Sequence, residues 1–158
     1  MRLVKEFIVR VMKYVETKVT FAEVPDEISL CISISGCPRC CEQCHSPHLR
    51  EDIGQELNIE VIKNLLDTHQ GISCICFMGG DVDLYDLHNL ARYIKLNTDL
   101  KVALYTGRDS LPPIDLRYFD YVKLGHYDPV YGGLDSMSTN QMMLKIENIT
   151  YKFWKHEN

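Results

Sequence analysis

A chain of 158 residues is long enough for one domain with a real core and too short to argue for two. Its composition, 46% hydrophobic and 25% charged, is that of a globular protein, and no apolar run approaches the roughly 20 residues of a membrane helix. With 17 basic and 22 acidic residues, a formal charge of −5 and no Lys/Arg run, the chain lacks the electrostatic footprint of a nucleic-acid binder.

Residues 1–11 carry Arg2, Lys5 and Arg10 among apolar side chains, without the clean apolar core or small-residue cleavage site of a signal peptide. A cytoplasmic location follows as the expectation, with reduced cysteines for which metal or catalytic roles outrank disulfides. Lys18 to Ala22 alternates and suggests a short strand ended by Pro25-Asp26. In Ile28 to Ser35 the residues Ile28, Leu30, Ile32 and Ile34 point one way and Ser29, Cys31, Ser33 and Ser35 the other. That strand runs through Gly36 into a loop holding four of the seven cysteines within eight residues, Cys37 to Cys44.

Asn58 is placed to cap a helix reaching about His69, with Ile59, Ile62, Leu65 and Leu66 as its buried stripe. Ile72 to Met78 is nearly all apolar, as in a strand covered on both faces, and leads into Gly79-Gly80-Asp81. Leu84, Leu87, Ala91 and Ile94 mark a second amphipathic helix, and Lys101 to Tyr105 a third core strand ending at Thr106-Gly107. Pro112-Pro113 breaks the chain before a short helical piece at Leu116 to Phe119, and Asp120 to Leu124 is a further strand ending at Gly125. Residues 132–141 are too rich in glycine and polar side chains for a core element. Met142 to Ile146 and Ile149 to Phe153 read as two short strands around Glu147-Asn148.

Strands alternating with helices imply parallel β-α units, whose ligands gather at the carboxyl ends of the strands. Gly36-Cys37, Gly79-Gly80-Asp81, Thr106-Gly107 and Gly125 would then share one rim. Two parses of the cysteines remain open. Cys37-x2-Cys40 beside Cys41-x2-Cys44 offers four thiols to a structural zinc, although adjacent Cys40 and Cys41 are hard to bring to one tetrahedral ion. Cys37-x3-Cys41-x2-Cys44 offers three thiolates to a cubane iron–sulfur cluster and leaves one iron open. Cys31, Cys74 and Cys76 fall in strand patterns and read as small core residues.

The spacing Cys37-x3-Cys41-x2-Cys44 resembles that of the radical S-adenosylmethionine (SAM) enzymes, and Gly79-Gly80-Asp81 resembles their Gly-Gly-Glu/Asp segment. More narrowly, Gly36-Cys37-x3-Cys41-x2-Cys44-His45-Ser46-Pro47, Met78 to Asp81, Tyr105-Thr106-Gly107, Lys123-Leu124-Gly125, Gly132-Gly133-Leu134-Asp135 and Thr139-Asn140-Gln141 resemble, in order, segments of the activating proteins of anaerobic (class III) ribonucleoside-triphosphate reductases. The likeness covers residues 12–158 as a single domain and leaves 1–11 as an extension without an assigned role. His45 stands where many relatives have Tyr, and Ser46 replaces a common Asn.

The resemblance implies an α/β fold of the radical SAM type: an incomplete (βα) barrel of about five to six mostly parallel strands with flanking helices. It implies a 4Fe-4S cluster on Cys37, Cys41 and Cys44, with SAM contacted by Gln43, Cys44, His45, Gly79, Gly80 and Asp81. It also implies an activase that makes a 5′-deoxyadenosyl radical and takes hydrogen from a glycine of the reductase. The implied partners are the glycyl-radical subunit of that reductase and a flavodoxin-type electron donor, with neither nucleic acid nor membrane. Residues 132–141 would close the open side of the barrel, with Asn140 and Gln141 contacting SAM or the partner. An activase of another glycyl-radical enzyme, a small-molecule radical SAM enzyme and a zinc-binding interaction module are the alternatives.

Overall fold

The computed structural model describes residues 10–147 and the backbone of 150–154. Most of the expected extension, Asn148 and Ile149 of the expected final turn and strand, and the last four residues lie outside the described part. Strand β1 (Lys13–Thr20) starts earlier than Lys18 and carries a bulge between Tyr14 and Glu16 in its antiparallel pairing with β2 (Ser29–Ile34). A two-residue strand β3 (Gln55–Glu56) pairs with Lys13 and Tyr14.

Helix α1 (Ile59–Thr68) begins where Asn58 accepts a hydrogen bond from the Val61 N–H at 3.1 Å. Strand β4 (Cys74–Met78) follows, then α2 (Leu84–Asn97), capped by Asp83 on the Asp86 N–H at 3.0 Å. The remaining strands are β5 (Lys101–Tyr105), β6 (Tyr121–Leu124), β7 (Met142–Glu147) and β8 (Thr150–Trp154).

One sheet holds all eight strands in the order β3-β1-β2-β4-β5-β6-β7-β8. Pairing is parallel only across β2-β4-β5-β6, and every other pairing is antiparallel. This corrects the expected fold. The described residues form a mixed sheet with two α-helices, not an incomplete (βα) barrel with flanking helices.

The reason lies in the connections. A βα barrel needs a crossover helix after each strand. Between β5 and β6 stands only a 3-10 turn at Leu116–Tyr118, beyond Pro112-Pro113. After β6 the chain returns through a loop rather than a helix, so β7 runs antiparallel and the hairpin with β8 extends the sheet as an edge.

Strand alternation sorts the core into two faces. Leu30, Ile32, Ile34, Ile75, Phe77, Val102, Leu104, Val122 and Leu124 pack with Ile62 of α1 and Leu87, Leu90, Ala91 and Ile94 of α2. On the other face Cys31, Cys74, Cys76, Ala103, Tyr121 and Met143 cluster with Val24, and Leu134 folds back against them. Cys31, Cys74 and Cys76 are thus core residues, as the strand pattern predicts, and burial pushes the Cys74 thiol up to about 12.

Candidate functional site

Four neighbouring parallel strands, β2, β4, β5 and β6, end on one side of the sheet. The rim expected from the sequence therefore exists: Gly36-Cys37, Gly79-Gly80-Asp81, Thr106-Gly107 and Gly125 follow these strands directly. Backbone bonds tie the strand ends together, Gly79 N–H to the Tyr105 carbonyl at 2.9 Å and Thr106 N–H to the Lys123 carbonyl at 3.0 Å.

The cysteine loop is anchored at its base and along its length. Gly36 N–H donates to the Glu51 carbonyl at 3.0 Å, and Cys37 N–H to the Leu49 carbonyl at 2.8 Å. The Arg50 guanidinium donates to the Cys41 carbonyl at 2.7 Å, and the Ser46 N–H to the Cys44 sulfur at 3.4 Å. The loop leans across to β5, since a side chain on Gly107 would come within 3.1 Å of Arg39 Cγ.

Cys37, Cys41 and Cys44 are free and half-buried, whereas Cys40 is exposed. Burial pushes the Cys37 thiol up, and the charges of Asp81, Cys41 and Cys44 push the same way against a hydrogen bond from the Arg39 N–H. The three thiols and Asp81 therefore share one electrostatic neighbourhood. Among the described residues, however, no three Cys, His, Asp or Glu side chains converge as a ready metal site. The donor set still fits an iron–sulfur cluster: three soft, half-buried thiols on one loop, whose thiolates would repel one another unless a cation binds them.

The expected SAM contacts divide into two groups. Gln43 and His45 are exposed, Gln43 in the left-handed region at φ 53°, and the His45 ring meets Tyr127 edge-on with centroids 4.9 Å apart. Gly79 and Gly80 have φ of 96° and 94°. A side chain on Gly80 would lie 3.0 Å from Ile34 Cδ1, so its smallness serves conformation and packing at this position. Asp81 is only 7% exposed, accepts from Thr106 Oγ1 at 3.0 Å and lies 3.7 Å from Arg108 Nε. Its carboxylate is already engaged beside Cys37.

Lys123 lies in the segment Lys123-Leu124-Gly125, where the sequence pattern assigns it no role. It is 8% exposed, donates to the Gly125 carbonyl at 2.8 Å and stands 5.8 Å over the Tyr105 ring. Burial pulls its pKa down to about 8, against the opposing pull of Cys41 and Asp109. The signal that could have found it is a lysine at an inward position of a four-residue strand otherwise made of Tyr, Val and Leu.

Asn140 and Gln141 close the base of the loop that follows β6. Asn140 Nδ2 donates to the His126 carbonyl at 3.0 Å and Gln141 Nε2 to the Gly125 carbonyl at 3.4 Å. His126 pairs with Asp109 at 2.8 Å and holds that carboxyl below its usual range. His69 and His88 have structural contacts, with the Leu65 carbonyl and the Tyr118 ring. A cleft of about 410 Å³ lies by the starts of the two helices, among Arg10, Leu57, Glu60, Asp86 and Leu90, and no cysteine lines it.

Compared with known proteins, the chain matches no family model, no curated protein and no solved structure. No helix among the described residues is long and apolar enough to cross a membrane.

Proposed function

We propose that the chain is an iron–sulfur, SAM-dependent activase that forms the glycyl radical of an anaerobic ribonucleotide reductase. One observation carries the reading: the Cys37-x3-Cys41-x2-Cys44 loop and Gly79-Gly80-Asp81 follow the ends of adjacent parallel strands. The reading rests on this rim and not on a closed barrel.

Cys37, Cys41 and Cys44 would hold a 4Fe-4S cluster through their thiolates, leaving one iron without a protein ligand. What the bound cluster supplies is the single electron that splits SAM into methionine and a 5′-deoxyadenosyl radical, which then takes a hydrogen atom from glycine. The chain's own residues bind and orient. Asp81, held by Thr106 and Arg108, offers a fixed carboxylate toward the SAM amino group. The left-handed Gly79 and Gly80 set the backbone beside it, and Gln43 and His45 flank the third ligand on the open side. Lys123 places a cation near Cys41 and offsets the charge gathered there. Partners are the glycyl-radical subunit and an electron donor of the flavodoxin type.

The test is anaerobic reconstitution with iron and sulfide, followed by reduction with SAM and the reductase. A brown protein that cleaves SAM and raises a glycyl signal in paramagnetic resonance is expected. A colourless protein with one tight zinc ends the proposal in favour of an interaction module, while SAM cleavage without the radical moves the partner to another glycyl-radical enzyme or a metabolite. In the same assay Cys40→Ser keeps full iron content, and Cys41→Ser loses most of it. Equal loss from both would mean a four-thiol site.

A further inference from the structure

Residues 126–141 form a self-ordered loop that hangs from the rim, and its exposed residues are the apolar Val130, Tyr131 and Met137 together with Asp135 and Ser138. Asn140 and Gln141 close its base against His126 and Gly125. Inside, Gly132 N–H donates to the Asp128 carbonyl at 2.9 Å, Ser138 Oγ to the Tyr131 carbonyl at 3.1 Å and Thr139 Oγ1 to the Gly132 carbonyl at 3.3 Å. Gly132, at φ 80°, packs so tightly that a side chain there would meet Ser136 Cβ at 2.8 Å. Leu134 pins the loop to the second face of the sheet, and Tyr127 pins it to His45 of the cysteine loop.

A loop held at so many points could have turned its apolar side chains inward with Leu134. Instead Val130 is 79% exposed, Tyr131 47%, and Met137 fully exposed. Tyrosine and methionine are side-chain types enriched in protein interfaces, and their burial on association is a source of affinity. We propose that this loop is the docking element for the protein substrate, with Val130, Tyr131 and Met137 entering an apolar depression on the glycyl-radical subunit.

The inference rests on the activase reading, and continuity with the site names the occupant. That reaction requires a glycine of a second polypeptide to reach the cysteine rim. The loop leaves the rim at Gly125 and touches the cysteine loop through Tyr127. Val130 is three residues further on, within about 11 Å of Tyr127 along the chain. A protein that presents its backbone to the rim therefore meets this loop.

The experiment uses the full chain, reconstituted anaerobically, as wild type, as Val130→Asp/Met137→Asp, as the milder Val130→Ala/Met137→Ala, and as Leu96→Asp. Leu96, 62% exposed at the end of α2 away from the rim, supplies a control for an exposed apolar residue elsewhere. Reductive SAM cleavage without the partner and affinity for the purified glycyl-radical subunit are both measured. Expected are unchanged cleavage in every variant, an affinity at least tenfold weaker for the aspartate pair, a smaller loss for the alanine pair, and wild-type affinity for Leu96→Asp.

Affinity within twofold of wild type for the aspartate pair overturns the docking role while leaving the activase reading intact. Loss of cleavage in that variant also overturns it, by assigning the loop to the SAM site. A wild-type dimer that the aspartate pair converts to monomer overturns it in favour of a second copy of this chain. Absence of SAM cleavage in the wild type would sink the activase reading itself.

Discussion

Lys123 shows how one side chain reports on the site it belongs to. An ammonium that is 8% exposed, with a carbonyl and an aromatic face as its neighbours, is costly to fold unless an anion is meant to stand nearby. Its pKa is depressed to about 8 from 10.5, so the sign of the linkage is opposite to that of an ion-paired lysine. Below pH 8 it is charged in both folded and unfolded chains and the full penalty is present. Between pH 8 and 10.5 the folded chain sheds the proton first and the penalty is relieved. In the metal-free protein, the stability of the wild type relative to Lys123→Met should therefore rise by about 3 kcal/mol across that window. Urea unfolding of both proteins at pH 7 and pH 10.5 measures it, and a pH-independent difference would contradict the assignment. Asp81 illustrates the converse. Its position after two glycines was legible, but its engagement by Thr106 and Arg108 was not, because those partners come from a different strand end.

Among the elements, α2 is fastened to the sheet by a carboxylate that no local pattern singles out. Asp120 accepts from Lys95 Nζ at 2.9 Å and from the Val102 N–H at 2.8 Å, joining the end of α2 to β5 and the start of β6. Its own backbone continues the join, N–H to the Val102 carbonyl at 2.7 Å and carbonyl to the Ile146 N–H at 2.8 Å. Asp120→Ala leaves the Val102 N–H without its acceptor and the half-buried Lys95 ammonium with only the Leu100 carbonyl at 3.4 Å, and should cost about 2–3 kcal/mol in urea unfolding. A loss under half of that would mean water replaces the carboxylate freely. Helix starts were readable in advance because a cap is local: Asn58 lies three residues from the N–H it accepts. Strand faces were readable for the same reason, and Leu30, Ile32 and Ile34 separate from Cys31 as their alternation demands. Strand extent was less so. β1 reaches back to Lys13 because β3 and the Val15 bulge give it partners that its own residues do not announce.

For the whole molecule, a single eight-stranded sheet ties the terminal hairpin to the parallel centre. The one tryptophan, Trp154, lies in β8 at the far edge, while the helices pack over the centre. Its fluorescence and the far-ultraviolet dichroism should therefore change together in one urea transition. An earlier fluorescence change would show that the β7-β8 hairpin opens alone. The sequence by itself determined the helices, the strand faces, and the core placement of Cys31, Cys74 and Cys76. Each of these follows from periodicity or from a signal within a few residues. Tertiary structure alone decided that the sheet is mixed and open, that β7 turns back antiparallel through residues 126–141, that Thr106 and Arg108 hold Asp81, and that Tyr127 meets His45 of the cysteine loop. Strand direction and cross-strand neighbours depend on pairings between distant segments, and a chain can carry the same alternation into either a parallel or an antiparallel partner.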